Sequence, residues 1–373
     1  MPVPSTHIVL VSDQPVPSLL PLLDPNLAVK RVVLVATPAR EPHAQALRTA
    51  LREAGLQVEP INLLRHPYDF PRLHRTFSQL VDSYIDQGVA ANISGGNKLM
   101  SIAAYEVCKE KGQRAYYVNI DTDAVQWITP LDLPDHPLQT PLRMENYLHA
   151  CGVQIESLSR EKVSEEWEQI AEQLLNDHSF RSFNHHLLYQ DSIPSYLQKA
   201  AEQKYFPKLV NSSIIKRNGH PAQFSSHESK CFLRGFWLEA VMFSWLSKQQ
   251  HQGKIQDIVC NLKVRWRPEG SIEDIDNEFD VAFLAKNTLF LIECKSGGLK
   301  NNQDEMKKVI FQLGRSRQKL GGLRGKAFLV TINTLSENLR SRCLDNSVDH
   351  IQIKNGADLD GYVNNLLSGG EKS

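Results

Sequence analysis

No two of the six cysteines, at positions 108, 151, 231, 260, 294 and 343, stand at CxxC spacing. Neither a zinc site nor a disulfide framework is indicated, and a reduced, cytoplasmic protein is expected. Long apolar runs are missing as well: none approaches the roughly 20 residues that span a bilayer, so no membrane partner is expected. The opening MPVPSTHIVLVSDQ has no basic start ahead of its short apolar run, which argues against a signal peptide. Net charge is absent too, since 42 Lys and Arg balance 42 Asp and Glu. Constitutive coating of nucleic acid rests on phosphate neutralisation, so any such binding here has to be local. Finally, no GxGxxG follows the first apolar run, which argues against a dinucleotide cofactor.

What is present is a chain of 373 residues, 41% hydrophobic and 23% charged, long enough for two folded domains. In the first third, HIVLVS, RVVLVA and VAANIS are short continuous apolar runs of the kind buried on both faces of a sheet. Helical stretches alternate with them, at AREPHAQALRTALREAG and from Asn97 to about Lys111. RAYYVN and AVQWIT complete the pattern of an α/β domain with a mainly parallel sheet, expected over 1–135. The proline-rich PLDLPDHPLQTP marks a break, and 136–162 is expected as a linker. A second α/β domain is expected over 163–373. It opens with polar helices and continues through the apolar helix FLRGFWLEAVMFSWLSKQ and the strands IVCNLKVRW, NEFDVAFLA, TLFLIECKS and KAFLVTIN.

The strand LFLIECKSGG poses a chemical question. Residues two apart share a face of a strand, so Glu293 and Lys295 point one way and Cys294 the other. On the preceding strand Glu278 and Asp280 share a face, and only Lys286 and Asn287 join the two strands into a hairpin. Antiparallel neighbours lie roughly 4.5–5.5 Å apart, so Asp280, Glu293 and Lys295 can converge. Carboxylates that close repel unless a proton or cation sits between them. Oxygen ligands without a nearby histidine suit Mg²⁺ or Mn²⁺. Directly after this strand, nine Lys or Arg against two acids occupy 295–326, either a solvated helix face or a local nucleic-acid groove.

Asp280 followed by Glu293-x-Lys295 resembles the PD-(D/E)xK nuclease core. The resemblance implies that the acids hold a divalent metal while Lys295 assists the attacking water. It also implies an acid from the preceding helix, a place that Glu239 fits, and a glutamine on the following helix, a place that Gln312 fits. The first motif here is Phe-Asp rather than Pro-Asp, and Glu278 can share the role of Asp280.

In the first domain, NISGGNK follows the fourth strand. Asn97 can cap the next helix, and Lys98 in the first turn opposes the helix dipole, an arrangement that suits a bound anion. The loops after strands one and two, SDQPVPS and TPARE, lie at the same carboxyl edge of the sheet, where ligands of open α/β sheets bind. A Rossmann-like domain with SGGNK at this place resembles a CARF domain, a sensor of cyclic oligoadenylates. Joined to a PD-(D/E)xK domain, it resembles the type III CRISPR ancillary nucleases activated by cyclic tetra-adenylate. That resemblance implies a homodimer with the ligand across its two-fold axis, touched by Ser12, Asp13, Gln14, Thr37, Ser94, Gly95, Gly96, Asn97 and Lys98. It implies cleavage of single-stranded DNA or RNA, or nicking of supercoiled duplex. Two other readings remain open: a non-catalytic sensor that binds DNA without cutting it, and a constitutive restriction or repair nuclease.

Overall fold

The computed structural model describes residues 4–140, 142–161, 163–187, 192–193, 204–216, 222–267, 272–297, 303–322, 324–359 and 361–362. The chain forms two compact units, one of 1–156 with 264–276 and the other of 157–263 with 277–373. Among the described residues no helix is long and apolar enough to cross a membrane.

The first unit is built on β1 (Thr6–Leu10), β2 (Arg31–Ala36), β3 (Gln57–Val58), β4 (Asn62–Leu63), β5 (Val89–Asn92), β6 (Arg114–Asn119), β7 (Ala124–Thr129) and β8 (His136–Pro137). The strand order is β3-β2-β1-β5-β6-β7-β8, with β4 beside β2. Pairing is parallel from β3 to β6 and antiparallel from β6 through β8. Every residue of β1 and β5 is buried, the polar Thr6, His7 and Asn92 included. The helices are α1 (Val16–Leu23), α2 (Glu41–Glu53), α3 (Phe70–Tyr84), α4 (Lys98–Glu110) and α5 (Met144–Ala150). Neither α1 nor α3 is among the sequence expectations. Yet α3 opens on Asp69, whose carboxylate accepts the Arg72 N–H, and buries Leu73, Phe77 and Val81 at four-residue spacing.

The expected linker 136–162 is a correction. It contains β8, α5 and β9 (Gln154–Ser159). Its apolar residues Leu142, Met144, Tyr147 and Leu148 are buried, so the prolines ahead of them mark a turn within the unit. The parallel order of β1, β2 and β5 brings the loops that follow them to one edge.

The second sheet runs β17-β16-β15-β14-β13-β9, with β13 (Asp257–Trp266), β14 (Ile275–Ala285), β15 (Thr288–Lys295), β16 (Lys326–Thr331) and β17 (Asp349–Gln352). Helices α6 (Glu165–Asn176), α7 (His178–Leu187), α8 (Phe206–Asn211), α9 (His227–Cys231), α10 (Trp237–His251), α11 (Gln303–Gly321) and α12 (Glu337–Asp345) accompany it. A small antiparallel sheet, β10 (Ser192–Ile193), β12 (Ala222–Phe224) and β11 (Ile215–Lys216), completes the unit. Trp237 and Phe243 lie in its core, and Phe283, Phe290 and Phe328 stack on one another across three strands.

Two local features place the chemistry. Lys286 and Asn287 both take left-handed φ, +47° and +53°, which makes the tight two-residue turn that matches strand twist and fixes the β14–β15 register. The apolar stretch expected as one helix from Phe232 is a π-helical turn over Phe232–Phe236 followed by α10. Lys300, in the basic stretch 295–326, lies outside the described residues. The α/β class expected for both parts of the chain is the class observed.

Candidate active site and ligand loop

The β14–β15 pairing ends with Val281 opposite Ile292, and Asp280 and Glu293 are the next residues on the two strands. The Cys294 N–H donates to Asp280 Oδ2 at 2.6 Å, so main chain, not side chain, orients this carboxylate. Lys295 Nζ donates to Glu293 Oε1, also at 2.6 Å. The Cys294 side chain points into the core and is 5% exposed. Glu239 comes from the first turn of α10, directly after the π-helical turn.

Electrostatically these groups form one cluster. Burial pushes the Asp280 carboxyl up to about 7, and the charge on Glu293 adds to the shift. Burial pushes Glu239 up to about 9, with Asp280 the next contributor. Glu293 is also raised by burial, with Lys295 opposing the shift. Burial works against the Lys295 charge, but Glu293 and Asp280 more than offset it and hold the ammonium above its ordinary value. Three carboxyls that repel one another beside a single ammonium are short of positive charge. Their donor set is all oxygen, which fits Mg²⁺ or Mn²⁺. Among the described residues, no three His, Cys, Asp or Glu stand close enough together to hold a metal ion.

The other expected residues stand apart from this cluster. Glu278 is exposed and pairs with Lys263 at 3.4 Å. It influences the part-buried acids only as the weakest of their charged neighbours. Gln312 is exposed on α11, and among the described residues no hydrogen bond joins its side chain to the acids. The buried face of α11 is made by Met306, Ile310 and Leu313 instead.

In the first unit the three loops meet at the carboxyl edge. Gly95 has no room for a side chain: a Cβ there would lie 2.0 Å from the Leu10 carbonyl oxygen. Gly96 has φ +71°, the left-handed region that favours glycine. Asn97 caps α4 by accepting the Met100 N–H at 2.9 Å, and its amide donates to the Pro67 carbonyl, also at 2.9 Å. Ser94 Oγ accepts the Val118 N–H at 2.8 Å. Ser12 Oγ accepts the Gln14 N–H and donates to the Gln14 carbonyl, both at 3.3 Å, which folds the strand-one loop on itself. Thr37 precedes a 3₁₀ turn. Lys98 is exposed and has no ion pair among the described residues.

Asp13 is explained by a residue that sequence reading passed over: Arg40 Nη1 pairs with Asp13 Oδ1 at 2.8 Å. Arg40 was visible in TPARE as the basic residue of the strand-two loop. Its partner could be named only once β1 and β2 were known to be neighbours.

Comparison with known proteins follows this division. Residues 6–147 match the family model of the Card1 CARF domain, and residues 226–367 match that of the Card1-like endonuclease domain. Among solved structures, protein VC1899 from Vibrio cholerae superposes with a TM-score of 0.83 at 21% identity, covering 99% of each chain. Can2 from Sulfobacillus thermosulfidooxidans, in complex with cyclic tetra-adenylate, gives 0.76 at 22% identity over 97% of this chain and 99% of its own. A type III CRISPR defence DNA nuclease activated by cyclic oligoadenylate gives 0.58 at 19% identity over 88% of this chain and 45% of its own. These likenesses establish the fold. No curated protein matches the chain.

Proposed function

From a chain that belongs to the family joining a Card1-type CARF domain to a Card1-like endonuclease domain, we propose a metal-dependent nuclease of type III CRISPR defence that cyclic tetra-adenylate switches on. The observation that carries the reading is the cluster of Glu239, Asp280, Glu293 and Lys295, whose part-buried acids are all raised by burial, with Glu293 adding to the shift of Asp280 and Asp280 to that of Glu239.

When bound by Asp280 and Glu293, with Glu239 beside them, Mg²⁺ or Mn²⁺ supplies a Lewis acid that activates water and offsets charge on phosphate. The chain's own residues do the rest. Asp280 is held ready by the Cys294 amide. Glu293 positions Lys295 through their ion pair. The Lys295 ammonium, kept charged by its acidic neighbours, stabilises the negative charge that builds on the phosphate oxygens and orients the attacking water. Glu278, paired with Lys263, is an outer charge, and Gln312 has at most a supporting part. This PD-(D/E)xK reading extends to single-stranded DNA or RNA as substrate.

In the sensor domain, the free Lys98 ammonium and the amides that open α4 form the anion site, and Gly95 and Gly96 let the loop pack closely on Leu10 at that edge. Ser12, Gln14 and Thr37 line the same edge. Asp13 acts through Arg40, placing a guanidinium where phosphates would arrive. A homodimer bridged by one ring gives the switch its logic: the ligand activates by binding one dimer arrangement more tightly than another.

The test is cleavage of labelled single-stranded DNA, single-stranded RNA and supercoiled plasmid with Mn²⁺, with and without cyclic tetra-adenylate. Cutting is expected only with the ligand and is expected to be lost in Glu293→Ala and Lys98→Ala. Cutting without ligand, lost only in Glu293→Ala, leaves a constitutive nuclease. No cutting by the wild type under any condition overturns the reading.

A further inference from the structure

A cavity of about 470 Å³ opens in the endonuclease unit against the acid cluster, and Glu239 and Asp280 are part of its wall. A molecule bound there lies beside the reacting atoms. The volume is that of a small-ligand site. Much of the remaining wall is aromatic, from Trp167, Phe232, Phe236 and Phe243. Neither Lys nor Arg lines the cavity, whereas Glu161, Glu168 and Glu228 add to the acids. That charge disfavours a phosphate and favours a flat, uncharged body with hydrogen-bond donors on its edge.

The wall is shaped by two departures from regular backbone. Phe232 and Phe236 begin and end the π-helical turn, and Glu239 follows three residues later. Turns of this kind recur at functional sites. The Phe232 ring packs against Trp167 with centroids 4.7 Å apart, and Trp167 Nε1 donates to the Ser212 carbonyl at 3.0 Å, so these two rings are fixed. Phe236 is different: it is 54% exposed, which leaves ring surface for a partner. On β13, Cys260 and Asn261 both line the cavity, although successive strand residues ordinarily face opposite ways. Asn261 takes a left-handed φ of +50°, which breaks the alternation. Such irregularities re-aim side chains next to active sites.

One carboxylate can read what enters. Glu168 is half-buried on α6, and its Oε1 accepts a hydrogen bond from the hydroxyl of the buried Ser244. Its Oε2 has no hydrogen bond among the described residues. An ionised carboxylate only accepts, so its complement is an N–H group. The flat, uncharged parts of a nucleic-acid strand are its bases, which stack on aromatic side chains. Cytosine carries an amino group where thymine carries a carbonyl oxygen.

We propose that this cavity receives the base of the nucleotide at the cut, stacked on Phe236, with Glu168 favouring a base that carries an amino group. The inference rests on the reading of this unit as a nuclease and names two specificity residues within it. A base in a duplex has to leave its stack to enter, so a single strand is the better substrate.

The test measures binding by fluorescence anisotropy on the full chain with cyclic tetra-adenylate. Ca²⁺, which also takes oxygen ligands, replaces Mn²⁺. Three labelled DNA strands are compared: nine thymines, the same strand with a central cytosine, and nine abasic units. The wild type is expected to bind the cytosine strand about tenfold more tightly than the thymine strand. Glu168→Gln is expected to remove that advantage. Phe236→Ala is expected to weaken both base-bearing strands about tenfold and to leave the abasic strand unchanged. Should Glu168→Gln fail to fold, the wild-type preference for cytosine over thymine decides. Equal wild-type affinity for those two strands, or a Phe236→Ala variant that binds them as the wild type does, overturns the base pocket. The two readings fail separately. A protein that binds as described but does not cut with Mn²⁺ and cyclic tetra-adenylate refutes the nuclease alone. One that cuts but ignores these two residues refutes the pocket alone.

Discussion

Asp280 and Glu239 are carboxyls that the folded protein prefers to keep protonated. Their values, about 7 and about 9, lie above the ordinary 3.8 and 4.5, so the folded state binds more protons than the unfolded one between those limits. Stability of the metal-free protein therefore falls as pH rises from the carboxylate range through 7 and on towards 9. Asp280→Asn is expected to stabilise the metal-free protein by about 1–3 kcal/mol at pH 8 while abolishing cleavage. Mn²⁺ is expected to raise the wild-type melting temperature more at pH 8 than at pH 5, and that gain should shrink in the variant. Thermal melts at the two pH values check this, and a wild type whose metal-free stability does not fall with pH contradicts it. At this scale the sequence was legible wherever one strand's own alternation decides: Asp280, Glu293, Lys295 and the inward Cys294 could be assigned to faces from period alone. The partners of Glu278 and Asp13 could not, because Lys263 and Arg40 reach them from other elements whose neighbours only the sheet order specifies.

Elements built on continuous or alternating apolar patterns were visible in the sequence, and those defined by backbone geometry were less so. RVVLVA is β2 residue for residue, and the Asn97 cap starts α4 where expected. Strands β9 and β17 escaped because β9 has no buried residue and β17 has one, so only their neighbours in the sheet identify them. The π-helical turn escaped because its sequence reads as uninterrupted apolar helix; the extra residue is a matter of hydrogen bonding around Gly235. The glycine loop offers an element-scale prediction. Gly95→Ala drives a Cβ into the Leu10 carbonyl, and backbone cannot yield as a side chain does. A loss of about 3 kcal/mol is expected, near the top of the overpacking range. Chemical denaturation measures it, and a loss below half that value would show that the loop can lift off β1.

For the molecule as a whole, two units with separate cores imply that ligands act on separate unfolding events. Calorimetry of the full chain is expected to resolve two transitions. Cyclic tetra-adenylate should raise the one belonging to the sensor unit, and Mn²⁺ the one belonging to the nuclease unit, since each ligand stabilises only what binds it. A single transition that both ligands shift equally would mean that the units unfold together.

The hydrogen bond from the Cys294 amide to Asp280 has a consequence for how such a site can change over generations. Every residue except proline offers the same amide, so no ordinary exchange at 294 can remove that hold. Position 294 is free to drift among small apolar residues that fill the same pocket in the core. An insertion in the two-residue turn at Lys286 and Asn287 is another matter: it shifts every partner by one, gives Asp280 a different amide and turns Glu293 to the opposite face. Point substitution at 294 is forgiving, and insertion or deletion in the hairpin is not.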